Sequence, residues 1–272
     1  MSKTIFITGA SRGFGQLWTK AFLQQGYKVA ATARNLTSLD ELKAQYGDQL
    51  LPIQLDVTDR GAAIWAVQQA YKEFDRLDVL INNAGYGLFG SVEETSEQQA
   101  RDLMETNFFG LLWLTQAVLP IMRKQSSGHI IQVSSVLGLI TWPNVGLYNA
   151  SKFAVEGLSE TLASEVKGFG INVSLVEPGP YATDYAGSSA VITQPLSAYA
   201  PLKASLQANY ATLSMGQPEA TAAAVLQLIE SEQPPLRLLL GKLAYPLVKQ
   251  AYNSRFAEWD TWAEVTMAAH EG

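Results

Sequence analysis

Along this chain, short runs of apolar and β-branched residues alternate with longer stretches whose apolar positions recur at helical spacing. The strand-like runs fall at 3–8, 28–33, 51–55, 78–82, 129–134, 171–176 and 236–240. Helical patterns lie between them near 13–26, 38–46, 59–74, 97–123, 148–167 and 218–231. That rhythm predicts an α/β fold, a doubly wound parallel sheet of about seven strands with helices on both faces. Local start signals agree with it: Ser96 and Gln99 have the spacing of a capping box, and Pro218 suits a first helical turn. Two stretches stand outside the alternation, 180–215, rich in Ala, Leu, Ser and Tyr, and a tail from 242 that carries Trp259 and Trp262.

Composition narrows the classes of function. A chain of 272 residues that is 47% hydrophobic can bury a large core, and no Pro/Gly/Ser-rich linker divides it, so residues 1–272 are expected to form one domain. With 19 basic against 25 acidic side chains, a formal charge of −6, and no basic stripe, a nucleic-acid backbone would meet mostly repulsion. There is no cysteine, and the two histidines, His129 and His270, are far apart, which argues against a metal centre or a thiol nucleophile. The start, Met1-Ser2-Lys3-Thr4-Ile5, runs straight into a strand-like segment, and the apolar stretch Leu111 to Met122 is broken by Thr115, Gln116 and Pro120. A cytoplasmic protein with no membrane partner is the expectation, since a spanning helix needs about 20 apolar residues.

Candidate chemistry sits at three places. The first strand leads into Thr8-Gly9-Ala10-Ser11-Arg12-Gly13-Phe14-Gly15, where glycines let backbone amides approach an anion and the next helix adds the positive end of its dipole. The spacing G-x-x-x-G-x-G differs from the G-x-G-x-x-G fingerprint and from the phosphate loop. After the second strand the sequence reads Thr32-Ala33-Arg34-Asn35, with no acidic residue between Gly26 and Leu39. A carboxylate there would hold the ribose 2′-hydroxyl of NAD, whereas Arg34 with Arg12 suits the 2′-phosphate of NADP(H). Farther on, Tyr148 and Lys152 are four residues apart in a predicted helix and thirteen residues or more beyond Ser135. Positions i and i+4 share a helix face, and an ammonium beside a phenol favours the phenolate, giving a proton donor or acceptor usable near neutral pH.

Together these residues resemble the short-chain dehydrogenase/reductase family in its compact, single-domain branch, over roughly residues 3 to 183. Thr8-Gly9-x-x-x-Gly13-x-Gly15 resembles its cofactor loop, Asp56-Val57 its adenine contact, and Asn82-Asn83-Ala84-Gly85 the segment that steadies its central sheet. Asn107, Ser135, Tyr148 and Lys152 fall where the family has its catalytic tetrad, and Pro178-Gly179 with Thr183 where it holds the nicotinamide carboxamide. Tyr181 is a departure, since a small branched residue commonly follows in relatives. Strand alternation, which sends neighbouring hydroxyls to opposite sides, and the offset to Tyr148 favour Ser135 over Ser134.

The resemblance implies a Rossmann-type fold and hydride transfer between a nicotinamide and a carbonyl or alcohol carbon. Tyr148 would exchange the proton, Ser135 would hydrogen-bond the same oxygen, and Lys152 would contact the nicotinamide ribose and connect through water to the Asn107 region. The substrate pocket is expected around Tyr86 to Phe89, around Val136, Leu137 and Trp142, and in the stretch from Tyr181 to Tyr210 that includes Tyr185. These stretches are mostly apolar and aromatic, which suits a hydrophobic ketone or secondary alcohol. An idle NADP(H)-sensing protein or an epimerase or dehydratase relative are the alternatives, and a serine hydrolase is disfavoured because no G-x-S-x-G elbow is present. Relatives of this kind often form homodimers or homotetramers through the helices near 97–123 and 148–167.

Overall fold

The computed structural model describes residues 2–183, 187 and 189–270. Its centre is the expected parallel sheet of seven strands in the order β3-β2-β1-β4-β6-β7-β9. These strands are β1 (Thr4–Ile7), β2 (Lys28–Ala33), β3 (Leu50–Gln54), β4 (Val79–Asn82), β6 (Gly128–Val133), β7 (Ile171–Pro178) and β9 (Arg237–Leu240), and each pairs in parallel with its neighbour. A separate parallel pair joins β5 (Leu88–Phe89) to β8 (Val191–Ile192). The sequence pattern gave no sign of these two, because two residues are too few to show an alternation.

The helices are α1 (Gly13–Gln24), α2 (Asp40–Tyr46), α3 (Arg60–Phe74), α4 (Glu97–Met104), α5 (Gly110–Gln125), α6 (Gly146–Val166), α7 (Ala200–Ala211), α8 (Thr221–Glu230), α9 (Ala244–Thr261) and α10 (Ala263–Ala268). Side chains alternate across the sheet because strand residues point to opposite faces. Ile5 and Ile7 of β1 enter a core with Trp18 and Phe22 of α1 and Leu228 of α8, while Phe6 enters the opposite core with Val67 of α3, Leu114 and Val118 of α5 and Leu162 of α6. Trp18, wholly buried, still satisfies its indole by donating from Nε1 to Thr221 Oγ1 at 2.8 Å.

The single helix expected over 97–123 is in fact two, joined by a π-helical turn at Glu105–Phe109. Ser96 does cap α4 with Gln99 reciprocating, but a wider turn follows, of the kind often found next to functional sites. It lets Leu103 pack towards Leu88, Val136 and Tyr148 while Leu114 and Val118 face the sheet. In the tail, Ala244 is buried and Leu247, Val248 and Tyr252 pack against the cluster around Tyr148, whereas Trp259 and Trp262 remain exposed. Among the described residues no helix is long and apolar enough to cross a membrane.

The sheet order reverses at β1, whose neighbours are β2 and β4. In an open α/β sheet a crevice forms outside the carboxyl ends of the strands at such a point, and ligands bind there.

Candidate active site

A cleft of about 780 Å³ opens at that position. Its floor is the loop after β1. Gly9 and Gly13 have positive φ, 66° and 55°, conformations that favour glycine. Gly15 does not line the cleft but packs beneath it: a Cβ there would lie 2.2 Å from Gly9 O and 2.6 Å from Asn83 Nδ2. The loop is thus a cradle that any side chain at position 15 would fill. Two residues brace it from β1 and β4. Thr8 Oγ1 accepts from the amides of Asn83 and Ala84 at 3.0 and 2.9 Å, and Asn83 Nδ2 donates to the carbonyls of Thr8 and Gly9 at 2.9 and 3.2 Å. Asn82 turns the other way, donating to Gln132 Oε1 at 2.8 Å and to Thr115 Oγ1 at 3.1 Å inside the sheet.

Around this floor the cleft is lined by Ser11, Arg12 and Phe14 from the loop, Arg34 from the end of β2, and Asp56 and Val57 from the end of β3. Asp56 also holds its own turn, Oδ1 accepting from Thr58 N at 3.0 Å and Thr58 Oγ1 at 2.8 Å. Ala84 and Gly85 follow β4, and Pro178, Gly179, Tyr181 and Thr183 close the opposite side. The unusual Tyr181 has a packing explanation. Its ring lies edge-on to Phe14 at 5.4 Å, and glycines at 216 and 241 leave room for it, since a Cβ on Gly216 would come within 2.6 Å of Cε1.

Three of the four catalytic candidates meet at the inner end. Tyr148 and Lys152, one turn apart on α6, both line the cleft, with Lys152 Nζ 5.7 Å from the centroid of the Tyr148 ring. Lys152 Nζ donates to Val133 O at 2.8 Å, which fixes the ammonium under the end of β6. Burial pulls its pKa down to about 8, and the charge of Glu156 works against that pull. Ser135 lines the cleft as well, and its Oγ accepts from Leu137 N at 3.1 Å, so the hydroxyl proton is still available to an incoming oxygen. The Ser134 hydroxyl and Glu156 both lie beside Gly138 on the far side.

Asn107 does not line the cleft. It is buried in the π-helical turn, where Oδ1 accepts from Tyr86 N and Nδ2 donates to Tyr86 O, both at 3.0 Å, and to Ser151 Oγ at 3.2 Å. Its side chain therefore fixes the backbone of the residue after Gly85.

Tyr86, Val136, Leu137 and Trp142 line the outer part of the cleft, joined by Val191, Tyr210 and Met215. Tyr185 lies outside the described residues. Burial raises the pKa of Tyr86 and Tyr181, which keeps both phenols neutral walls. Lys203, a charged residue within the 181–210 stretch, does not face the cleft. It pairs with Glu94, whose fully covered carboxylate lies 2.7 Å from Lys203 Nζ and also accepts from Leu196 N at 2.7 Å and Ser91 N at 2.8 Å. That one carboxylate ties the 191–203 stretch to the body of the protein, a role its position in Ser91-Val92-Glu93-Glu94 gives no hint of. The Lys203 hydrogen bond first, then the Leu196 amide, hold its pKa down to about 2. A carboxylate lowered in this way stabilises the fold above its unfolded pKa and loses that contribution only as pH falls through the folded value. The tie should therefore persist at pH 4. Glu94→Gln is expected to lower the melting temperature, speed proteolysis within 189–210 and raise KM more than it lowers kcat; an unchanged proteolytic pattern would show that the carboxylate anchors nothing.

Comparison with known proteins agrees with this geometry. The family model described as short chain dehydrogenase matches residues 3–191. Oxidoreductase BOA17 of Botryotinia fuckeliana is 38% identical over 273 residues, covering 99% of this chain and 100% of the relative. A crystal structure of a short-chain dehydrogenase from Streptomyces avermitilis superposes with a TM-score of 0.93 at 37% identity, covering 98% of each chain. The closed form of a serine dehydrogenase complexed with NADP+ gives a TM-score of 0.76 at 30% identity over 87% of this chain and 94% of that one. The chain is an oxidoreductase fold with a nicotinamide-dinucleotide cleft, and it belongs to the short-chain dehydrogenase/reductase family.

Proposed function

We propose that the protein is an NADP(H)-dependent reductase of hydrophobic ketones, or the dehydrogenase of the matching secondary alcohols, with Tyr148 as the general acid and base. The observation that carries this reading is the shared placement of Tyr148 and Lys152 at the inner end of a cleft whose floor is a glycine cradle. The cofactor fits the residues present. Gly9, Gly13 and the start of α1 would hold its pyrophosphate, Arg12 and Arg34 its 2′-phosphate, Asp56 and Val57 its adenine, and Pro178, Gly179 and Thr183 its nicotinamide end. When bound it supplies the hydride.

Everything else falls to the chain. Ser135 donates its hydroxyl proton to the substrate oxygen and fixes that oxygen's position. Tyr148 gives up its phenolic proton as negative charge develops there, and the Lys152 ammonium stabilises the phenolate left behind. Asn107 is a positioning residue, since it acts through the Tyr86 backbone. The walls from Tyr86, Val136, Leu137, Trp142, Val191 and Met215 exclude water and favour an apolar substituent on the carbonyl.

NADPH consumption across a panel of aliphatic and aromatic ketones, with esters as controls, tests the reaction. Turnover of ketones alone is the expected result, and none with any ketone would overturn the reading. Arg34 tests the cofactor. Arg34→Asp should weaken NADPH binding by about 10- to 100-fold, the loss expected for one or two charge-assisted hydrogen bonds, with NADH little affected. Equal binding of NADH and NADPH by the parent protein would refute the preference.

A further inference from the structure

Behind Lys152, away from the cleft, lies a cluster of charges that the reaction itself does not use. Glu156 is one turn beyond Lys152 on α6, and Glu177 is on β7; they are 5% and 0% exposed. Arg237 of β9 reaches both. Its Nε donates to Glu156 Oε2 at 3.2 Å and lies 3.4 Å from Glu177 Oε1, while Nη2 turns outward to Glu160 Oε2 at 2.9 Å. One guanidinium thus serves three carboxylates, two of them buried. Neither oxygen of Glu177, nor Glu156 Oε1, accepts a hydrogen bond from any described residue.

Two buried carboxylates with so few donors cannot both stay ionised. One proton between them changes the count, because a carboxyl can donate to its neighbour and two orphaned acceptors become a bonded pair. Burial first, then the negative charge of Glu156, push Glu177 up to about 8. Burial also raises Glu156, opposed by Arg237. Arg237 Nε donates to Glu156 but only approaches Glu177, which is wholly buried, so the anion is placed on Glu156, the partner nearer Lys152, and the proton on Glu177.

We infer that Glu156, Glu177 and Arg237 form a positioning unit in which the carboxyl pair keeps one proton and presents a single anion, on Glu156, to the Lys152 ammonium. This rests on the Tyr148–Lys152 reading given above. The groups facing Lys152 from each packed element are few. Tyr148 and Glu156 come from its own helix, with Glu177 from β7 and Arg237 from β9 behind them. The end of β6 brings only the hydroxyls of Ser134 and Ser135, and the turn 136–138 has no ionisable side chain. Arg255 of α9 is directed to Leu139 O and the Phe153 ring. Asp102 and Glu105, from α4 and the π-helical turn, line the cleft, with Arg12, Arg34 and Asp56 farther along it. Glu156 is the anion that the buried ammonium meets on the protein side, so it decides how far burial can depress that lysine.

Two measurements test the unit. Glu156→Gln keeps the shape and removes the charge. In the best ketone found with NADPH, the alkaline fall of kcat/KM should move to lower pH by about one unit, the size expected for loss of a close opposite charge. Glu156→Asp, which keeps the charge, should restore most of the shift. An unmoved limb in Glu156→Gln, in protein that melts like the parent, overturns the inference. Glu177→Gln tests the proton without any turnover. A group whose folded pKa is raised favours folding below its unfolded pKa and loses that as pH climbs through the folded value. The parent's melting temperature should therefore decline between the ordinary carboxylate range and about pH 8 more steeply than that of Glu177→Gln, and equal slopes would refute the shared proton. If Glu156→Gln does not fold, the Glu177→Gln melts still decide. A Tyr148→Phe protein that keeps its turnover defeats the proposed function; an inactive one beside an unmoved Glu156→Gln limb defeats only this unit.

Discussion

Tyr148→Phe is expected to lower turnover by about 10²- to 10⁴-fold, the usual worth of a positioned general acid, while dinucleotide binding changes by no more than a few-fold. The substitution keeps the ring that packs with Leu103, Val136 and Leu137, so the melting temperature should hold. It leaves Lys152 in place as well, because that ammonium is anchored on Val133 O rather than on the phenol oxygen. What disappears is the proton itself, and an unfixed water is a poor substitute for a fixed donor. Steady-state rates with the best ketone, set beside a fluorescence titration of NADPH, separate the two effects. Retention of more than a tenth of the parent turnover would remove Tyr148 from its role.

A single methyl group at position 15 should do comparable harm by a different route. Gly15→Ala places a Cβ where Gly9 O lies at 2.2 Å and Asn83 Nδ2 at 2.6 Å. The first of these is backbone, so the loop itself has to move, and overpacking of this sort costs about 1–3 kcal/mol. The displaced atoms are those through which Asn83 holds Thr8 and Gly9, so the cradle loses its brace as it loses its shape. The expected outcome is a lower melting temperature together with at least about a tenfold loss of dinucleotide affinity, since each 1.4 kcal/mol is tenfold. Calorimetry with NADPH checks it, and unchanged affinity would mean that the loop does not carry the pyrophosphate. At Gly13 there is no steric clash, only a positive φ, so Gly13→Ala should be milder.

How much of this could be read from the chain depends on range. The seven main strands were legible because each is a short apolar or β-branched run that breaks the helical periodicity around it. The glycine loop and the Tyr148–Lys152 pair were legible because their chemistry depends on short spacings that a helix or a turn fixes. What depended on distant partners was not. Nothing local in 97–125 announces a wider turn; Leu103 and Leu114 must serve two different cores, and tertiary packing sets that demand. Glu94 and Lys203 are 109 residues apart, and Glu177 meets Arg237 only through the β7–β9 ladder. Buried charges read from sequence look like solvated ones until their partners are known. Trp259 and Trp262, whose place nothing local in the tail determines, lie on the surface.

The seating of Tyr181 between Phe14, Gly216 and Gly241 means that four positions scattered over more than two hundred residues must be treated as one unit. Residues in mutual contact do not have additive effects. A smaller side chain at 181 leaves a void that a larger one at 216 fills, so the joint change can cost less than either alone, whereas the positive φ of Gly241 keeps that position glycine. Anyone redesigning the outer wall for a different substrate would therefore be altering the footing of the dinucleotide loop through Phe14, and should vary these sites in combination rather than in turn.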